Sequence, residues 1–340
     1  MKNIVIEDFL REREVTPVID VRSPSEFKKG HIPGAHNIPL FSDEERAIVG
    51  TKYVQESRYS SVIAGLDMVG PKLSGFVDAA TKLAPKGKLL VYCWRGGMRS
   101  SSMSWLLNLA GINSKTLIGG YKSYRRYSKE YLSKPFKLVV LGGMTGSGKT
   151  EIILELSKYG QQIIDLEGLA NHKGSAFGAI GQKAQPSTEF FENLLFEDLL
   201  KLDLDKYIWV EDESKAIGSV FIPQEFFNQM LESRVIAIER STETRIKRLT
   251  SEYTNCEPQL LINSVNKIAK RLGGDNVTKA IQSIELGNFE EAVGISLRYY
   301  DKAYQFGLSN KKAKPTICTL SDENLSLNCS LLIKTLNKTI

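Results

Sequence analysis

Cys93-Trp94-Arg95-Gly96-Gly97-Met98-Arg99 puts a thiol at the mouth of a glycine-rich segment closed by an arginine. Successive backbone N–H groups and nearby arginines favour the thiolate, which attacks sulfur, selenium or phosphorus. Read as a merely buried structural cysteine, Cys93 would leave Gly96, Gly97 and Arg99 without a packing purpose. Cys93, Arg95 and Arg99 are therefore candidate catalytic residues. A second segment, Gly143-Met144-Thr145-Gly146-Ser147-Gly148-Lys149-Thr150, fits the phosphate-binding P-loop pattern at each fixed position. Gly143, Thr145, Gly146, Ser147, Gly148, Lys149 and Thr150 are its candidate phosphate or diphosphate ligands. Lys149 is expected to reach the terminal phosphates and Thr150 to meet a Mg²⁺ ion. A nucleophilic thiol and a phosphate cradle in one chain point to a group-transfer enzyme rather than a scaffold.

Two polar segments accompany the P-loop. Glu211, Asp212 and Glu213 follow a β-rich run, where carboxylates can hold Mg²⁺ or act as a base; a solvated acidic loop is the plainer reading. The stretch from Asp165 to Gly178 gathers polar and small residues just after another run of this kind, where α/β sheets place their ligands. Asp165, Glu167 and His172 are its candidate site residues.

These residues need elements to hold them. Val18 to Asp20 reads as a short strand, followed by a turn and a helix capped by Ser23 or Ser25. Lys88 to Tyr92 is a buried strand that delivers Cys93 at its C-terminal end. A helix over Ser100 to Ala110 follows, with Met103, Trp105, Leu106, Leu107 and Leu109 on its apolar face. Strand, glycine-rich loop and helix N-terminus together aim N–H groups at one anion. Leu138 to Leu141 is the strand entering the P-loop, and Glu151 to Tyr159 is the helix leaving it. Further strands are expected at Ile163–Leu166, Tyr207–Val210 and Val235–Ile238. The alternation predicts a parallel α/β sheet. From Arg240 onward the pattern is mostly helical and basic, with Lys270 and Arg271 among its cations. The divisions expected are residues 1–130, 131–240 and 241–340.

The chain has 340 residues, 42% hydrophobic and 25% charged, as in ordinary globular proteins. No apolar run reaches the roughly 18 residues of a membrane span. MKNIVIEDFL lacks the basic start and apolar core of a signal peptide, so a cytoplasmic location is expected. The four cysteines form no CxxC pair, which argues against zinc and disulfide frameworks. The formal charge of +6 permits a nucleic-acid partner without demanding one.

The first third resembles a rhodanese domain, through Asp20-Val21-Arg22-Ser23-Pro24-Ser25-Glu26-Phe27, Gly30-His31-Ile32-Pro33-Gly34-Ala35 and the Cys93 loop. In that family the cysteine carries a persulfide. The usual sulfurtransferase loop is one residue shorter; the longer form resembles that of related phosphatases, which take a bulkier tetrahedral anion. That suits a phosphate-bearing donor. With Gly119-Gly120-Tyr121-Lys122, the P-loop, Asp165-Leu166-Glu167-Gly168-Leu169-Ala170-Asn171-His172 and Glu211-Asp212-Glu213-Ser214 added in the same order, nearly the whole chain is similar to the bacterial tRNA 2-selenouridine synthase family.

That resemblance implies a rhodanese-like domain followed by a P-loop NTPase-like parallel α/β domain with a mostly helical C-terminal region. It also implies a transferase that converts the wobble 2-thiouridine of tRNA to 2-selenouridine. The route is S-geranylation with geranyl diphosphate, then selenation with selenophosphate. Cys93 becomes the selenium-handling residue, and selenium attacks as selenophosphate or as a Cys93 perselenide. The P-loop becomes the diphosphate site. No tightly bound cofactor is implied, the Mg²⁺ at Thr150 being an expectation of the P-loop alone, and a selenophosphate-supplying enzyme is an expected partner. RNA contact is sought at Tyr121, Tyr124, Tyr127 and Tyr131 with Lys122, Arg125, Arg126 and Lys129, and at Lys270 and Arg271. Tyrosines spaced three and four apart also form the packed stripe of a helix. Two rival readings stay open: a P-loop kinase with a phosphatase-like or sulfurtransferase regulatory domain, and a catalytically silent binding protein.

Overall fold

A computed structural model describes residues 2–254, 256–309, 314–321 and 324–338. The chain divides into two compact units, Met1–Tyr131 and Leu132–Ile340.

The N-terminal unit is built on five parallel strands: β1 (Lys2–Ile4), β2 (Val18–Asp20), β3 (His36–Asn37), β4 (Lys88–Tyr92) and β5 (Asn113–Leu117), in the order β1-β5-β4-β2-β3. β4 is central, so Leu89 to Tyr92 are all buried and read as a continuous apolar run. Leu89, Val91 and Cys93 share one core with Ile19 of the neighbouring strand and Val21 just after it. The period of two therefore carries Cys93 inward at the strand end. A helix over Pro24–Lys29 begins at Ser23, where Ser23 and Glu26 form a capping box.

Helix Met98–Leu109 follows the Cys93 loop, but its buried side is Ser100, Met103, Ser104 and Leu107. Trp105 is 58% exposed and Leu109 71% exposed, contrary to the predicted apolar face. The small Ser100 and Ser104 pack inward instead, where Ser104 meets Ser114 of β5 at 2.7 Å. The tyrosine-rich stretch forms helix Gly120–Leu132, with Tyr121, Tyr124 and Tyr131 buried. Tyr121 stacks on Tyr92 and Tyr124, and the guanidinium of Arg22 lies 4.0 Å from its ring centre. These three rings are packing, not an RNA-stacking platform. Arg22 also bridges to buried Asp20 at 2.6 Å. Removing one partner would strand a buried charge.

The C-terminal unit carries β6 (Leu138–Gly143), β7 (Gln162–Ile164), β8 (Ile208–Glu211), the small antiparallel pair β9 (Ala216–Ile217) and β10 (Val220–Phe221), β11 (Arg234–Glu239) and β12 (Thr316–Thr319). Its main sheet is parallel in the order β12-β11-β6-β8-β7. Buried β6 runs into the P-loop and helix Lys149–Lys158 leaves it. Leu166, expected to end a strand, instead opens helix Leu166–Ala170, because the Asp165 carboxylate caps the Gly168 N–H at 2.7 Å. The region after Arg240 is mostly helical, yet β12 returns to the sheet beside β11. That four-residue edge strand is too short to show a period. No helix among the described residues is long and apolar enough to cross a membrane.

Candidate functional site

Each unit presents one site. In the first, the Cys93 thiol is 3% exposed and lies 3.2 Å from the Ser100 hydroxyl. Ser100 also donates to the Gly97 carbonyl at 3.1 Å. Gly97 begins helix Met98–Leu109 without a side-chain cap, so the first N–H groups of that helix are left for an anion. The loop is braced from behind: Tyr121 N–H donates to the Cys93 carbonyl and Lys122 N–H to that of Trp94. This fit requires glycine at Gly96 and Gly120. Both have positive φ, and a Cβ on Gly120 would stand 2.2 Å from the Cys93 carbonyl.

Arg95 is exposed, in keeping with a residue that meets a ligand. Arg99 is already paired, 2.6 Å from Glu26. Burial alone would lift the Glu26 carboxyl, but Arg99 and the Ser23 N–H hold it below its usual value. Ser100 and Glu26 are site residues that sequence reasoning missed. Ser100 was read only as a helix start and Glu26 only as part of a motif.

In the second unit, Gly146 and Gly148 take positive φ, and a Cβ at either would crowd Leu249 or Arg248. Lys149 donates to the Gly143 carbonyl at 3.0 Å, spanning the loop it closes. The Thr150 hydroxyl donates to Glu167 at 2.6 Å, and the Glu167 N–H donates to Glu211 at 3.2 Å. Glu211 is fully buried and its Oε1 has no hydrogen-bond partner. Burial first, and the charges of Glu167 and Asp165 next, push its carboxyl up to about 8. Glu213 is likewise raised, by burial and then by the charge of Glu167, with Lys149 opposing. The predicted polar residues Glu167, Glu211 and Glu213 thus converge on Thr150 and Lys149. Asp165 also stands close, but its carboxylate is spent as a helix cap.

Among the described residues no three His, Cys, Asp or Glu side chains converge in metal-binding geometry. Mg²⁺ asks for less, since it takes one or two carboxylates and completes its shell with substrate phosphates and water. Thr150, Glu167 and the orphaned oxygen of Glu211 fit that partial role.

His172 is buried, its Nδ1 has no partner, and burial and then Lys267 lower its pKa. A Cβ on Gly178 or Gly218 would come within 2.9 or 2.7 Å of its ring, so both glycines shape its niche. Asp212 is half-buried and raises the pKa of the Tyr304 hydroxyl, after burial. Arg245, one of the basic residues of the helical region, is 2% exposed. It donates to the Thr145 carbonyl at 2.9 Å and pairs with Asp301. It therefore pins the P-loop and is not an RNA-facing cation. Of the candidate RNA contacts, Lys122, Arg126, Lys270 and Arg271 are exposed and Arg125 is half-buried. Arg271 donates to the Tyr299 hydroxyl at 2.9 Å.

The AAA domain of tRNA 2-selenouridine synthase matches residues 136–327, and the rhodanese-like domain matches residues 6–127. The chain belongs to the tRNA 2-selenouridine synthase family. Relatives bearing that name include a Nitrosomonas europaea protein, 32% identical over 88% of this chain and 91% of its own length. A Pseudomonas fluorescens relative is 34% identical over 91% and 92%, respectively. One from Shewanella pealeana is 34% identical over 87% and 89%. The rhodanese-like match spans the Cys93 loop and the AAA match spans the P-loop with its carboxylates.

Proposed function

We propose that this protein converts wobble 2-thiouridine in tRNA to 2-selenouridine in two steps, one at each site. At the P-loop, the thiouridine sulfur attacks C1 of geranyl diphosphate, the C–O bond breaks, diphosphate leaves and the N3 proton of the base passes to water. Lys149 and the Gly146–Gly148 backbone meet the charge that builds on the departing diphosphate. Thr150, Glu167 and Glu211 would hold Mg²⁺, which supplies positive charge to the same phosphates.

Alkylation makes sulfur a better leaving group and C2 of the pyrimidine more electrophilic. At the Cys93 loop, selenophosphate supplies the selenium that replaces the alkylated sulfur. The uncapped helix N-terminus and Arg95 favour this anionic donor, and Ser100 holds the thiol of Cys93.

The observation that carries this reading is the presence of both intact sites in one chain of this family: the Cys93–Ser100 contact and the Lys149–Thr150–Glu167–Glu211 cluster. The test is to incubate the protein with thiouridine-containing tRNA, geranyl diphosphate and selenophosphate, then weigh the nucleosides. S-geranyl-thiouridine should appear without selenophosphate, and selenouridine with it. A requirement for ATP turnover in either step would defeat this reading and favour a kinase.

A further inference from the structure

The N-terminal unit carries an apolar groove that the chemistry above has not used. Two adjoining cavities, of about 390 and 470 Å³, share Leu40, Leu66, Val69, Met98 and Ser102 as walls. Each falls within the size range of small-molecule sites. Large apolar side chains stand open around it: Leu66 is 61% exposed, Met98 53% and Trp105 58%. A contiguous apolar surface of this kind marks a binding site more often than idle exposure.

Position and polarity narrow the occupant. Met98 and Arg99 are the first residues of the helix that follows the Cys93 loop, so the groove opens at the N-terminal end of that helix, next to the loop that holds the thiol. Ser102 and Ser61, two hydroxyls on its walls, donate to the carbonyls of Met98 and Arg58, both at 2.8 Å. Arg99 and Arg46 on its rim both face Glu26. The groove therefore offers hydrocarbon contact and few free polar groups. The flexible thioether of Met98 can adapt to a branched chain. A base or a phosphate would leave its own polar atoms unmatched there.

We propose that this groove holds the ten-carbon chain of S-geranyl-thiouridine while its C2 stands at the Cys93 loop, and then the geranylthiol that departs. The inference rests on the two-step reading. Selenium of selenophosphate forms the C2–Se bond. The C2–S bond breaks, its electron pair leaves on sulfur as geranylthiolate, and the Cys93 thiol gives that sulfur its proton, which Cys93 then regains from water. Water then cleaves the Se–P bond, giving phosphate and selenouridine.

The experiment compares selenation of tRNA bearing S-geranyl- or S-methyl-2-thiouridine, with selenophosphate, by the wild type and by Leu66→Glu and Ser102→Trp. Both substituted positions are exposed, so unchanged thermal melting should confirm folding. Burial of the longer chain should give the wild type a KM at least about tenfold lower for the S-geranyl substrate. Each variant should raise that KM about tenfold and leave S-methyl selenation and the geranylation step at wild-type rates. Equal KM values for the two substrates in the wild type would overturn the proposal. So would variants that alter neither substrate, or that weaken both alike, which would mean that RNA or another protein surface covers the groove. A wild type that selenates neither alkylated tRNA, but converts thiouridine directly, fails the two-step reading itself, an outcome distinct from selenation without chain-length preference.

Discussion

The Cys93 thiol has a hydroxyl for a neighbour, and that contact is the most consequential detail at the scale of single residues. Ser100 touches the sulfur and the Gly97 carbonyl, so its one proton can turn from that carbonyl to a thiolate formed at Cys93. Loss of one such charge-assisted hydrogen bond is worth roughly 1.5–3 kcal/mol, or about a tenfold rate effect at the lower end. Ser100→Ala should therefore slow selenation of S-geranylated tRNA by about tenfold or more and spare geranylation, with Ser100→Thr restoring most of the loss. Wild-type selenation by Ser100→Ala would show the contact to be idle. The two sites also predict a reciprocal pair. Lys149→Ala should abolish geranylation yet still selenate tRNA supplied already S-geranylated, whereas Cys93→Ser should geranylate and fail to selenate. Nucleoside mass analysis reads both products in one digest, and a variant that loses both steps together contradicts the division.

At the scale of elements, the Cys93 loop depends on the turn behind it. Gly120 has φ +57°, and a Cβ there would meet backbone at Cys93 and Gly96, which cannot swing aside. Gly120→Ala should cost about 2 kcal/mol or more in a denaturant titration and lose selenation. Gly97 has nothing within 4 Å of a Cβ, so Gly97→Ala should be nearly neutral in stability. Helix Pro24–Lys29, far from the loop in sequence, contributes through Glu26, which joins the Ser23 cap to Arg99. Its folded-state pKa lies below the ordinary 4.5, so the folded protein binds fewer protons than the unfolded chain. The resulting stability is complete above that value and is lost as pH falls through the depressed one. Melting temperature should drop on acidification from about pH 5 to about pH 3, and Glu26→Gln should both lower it at neutral pH and flatten the acid slope. An unchanged slope would mean that other carboxylates dominate.

At the scale of the whole molecule, a net charge of +6 is compatible with affinity for a polyanion such as tRNA. Counterion release makes that affinity salt-dependent, with the slope set by the number of phosphates contacted. Charge reversal at Arg125 and Arg126, or at Lys270 and Arg271, should weaken tRNA binding and flatten the plot of log affinity against log salt. Turnover at saturating tRNA should change little. Filter binding across a salt series would reveal the footprint; if neither pair moves the slope, the contact lies on other cations. Arg245 belongs outside that test, because its reversal would unseat the P-loop from Asp301.

Two motifs were legible in the residues because backbone geometry imposes them. A phosphate loop needs glycine where φ is positive and a lysine at its end, and Gly146, Gly148 and Lys149 declare this without any neighbour. Strands such as Lys88–Tyr92 were equally open, since burial on both faces writes a continuous apolar run. Other features depend on partners far away in the chain. The tyrosines of Gly120–Leu132 carry the same helical spacing whether they meet RNA or a core; only the approach of Tyr92 and Arg22 made them packing. Trp105 and Leu109 look inward by composition, but the serines won that face because Ser104 meets Ser114 where the helix packs on the sheet. Arg245 reads as one basic residue among many until Asp301 and the Thr145 carbonyl close around it. Local sequence determines what the backbone can do by itself, whereas the choice between a buried and an exposed side chain belongs to whichever long-range neighbours arrive. Tertiary structure alone therefore decided Ser100 beside Cys93, Glu211 beneath Thr150, and the apolar groove at Met98.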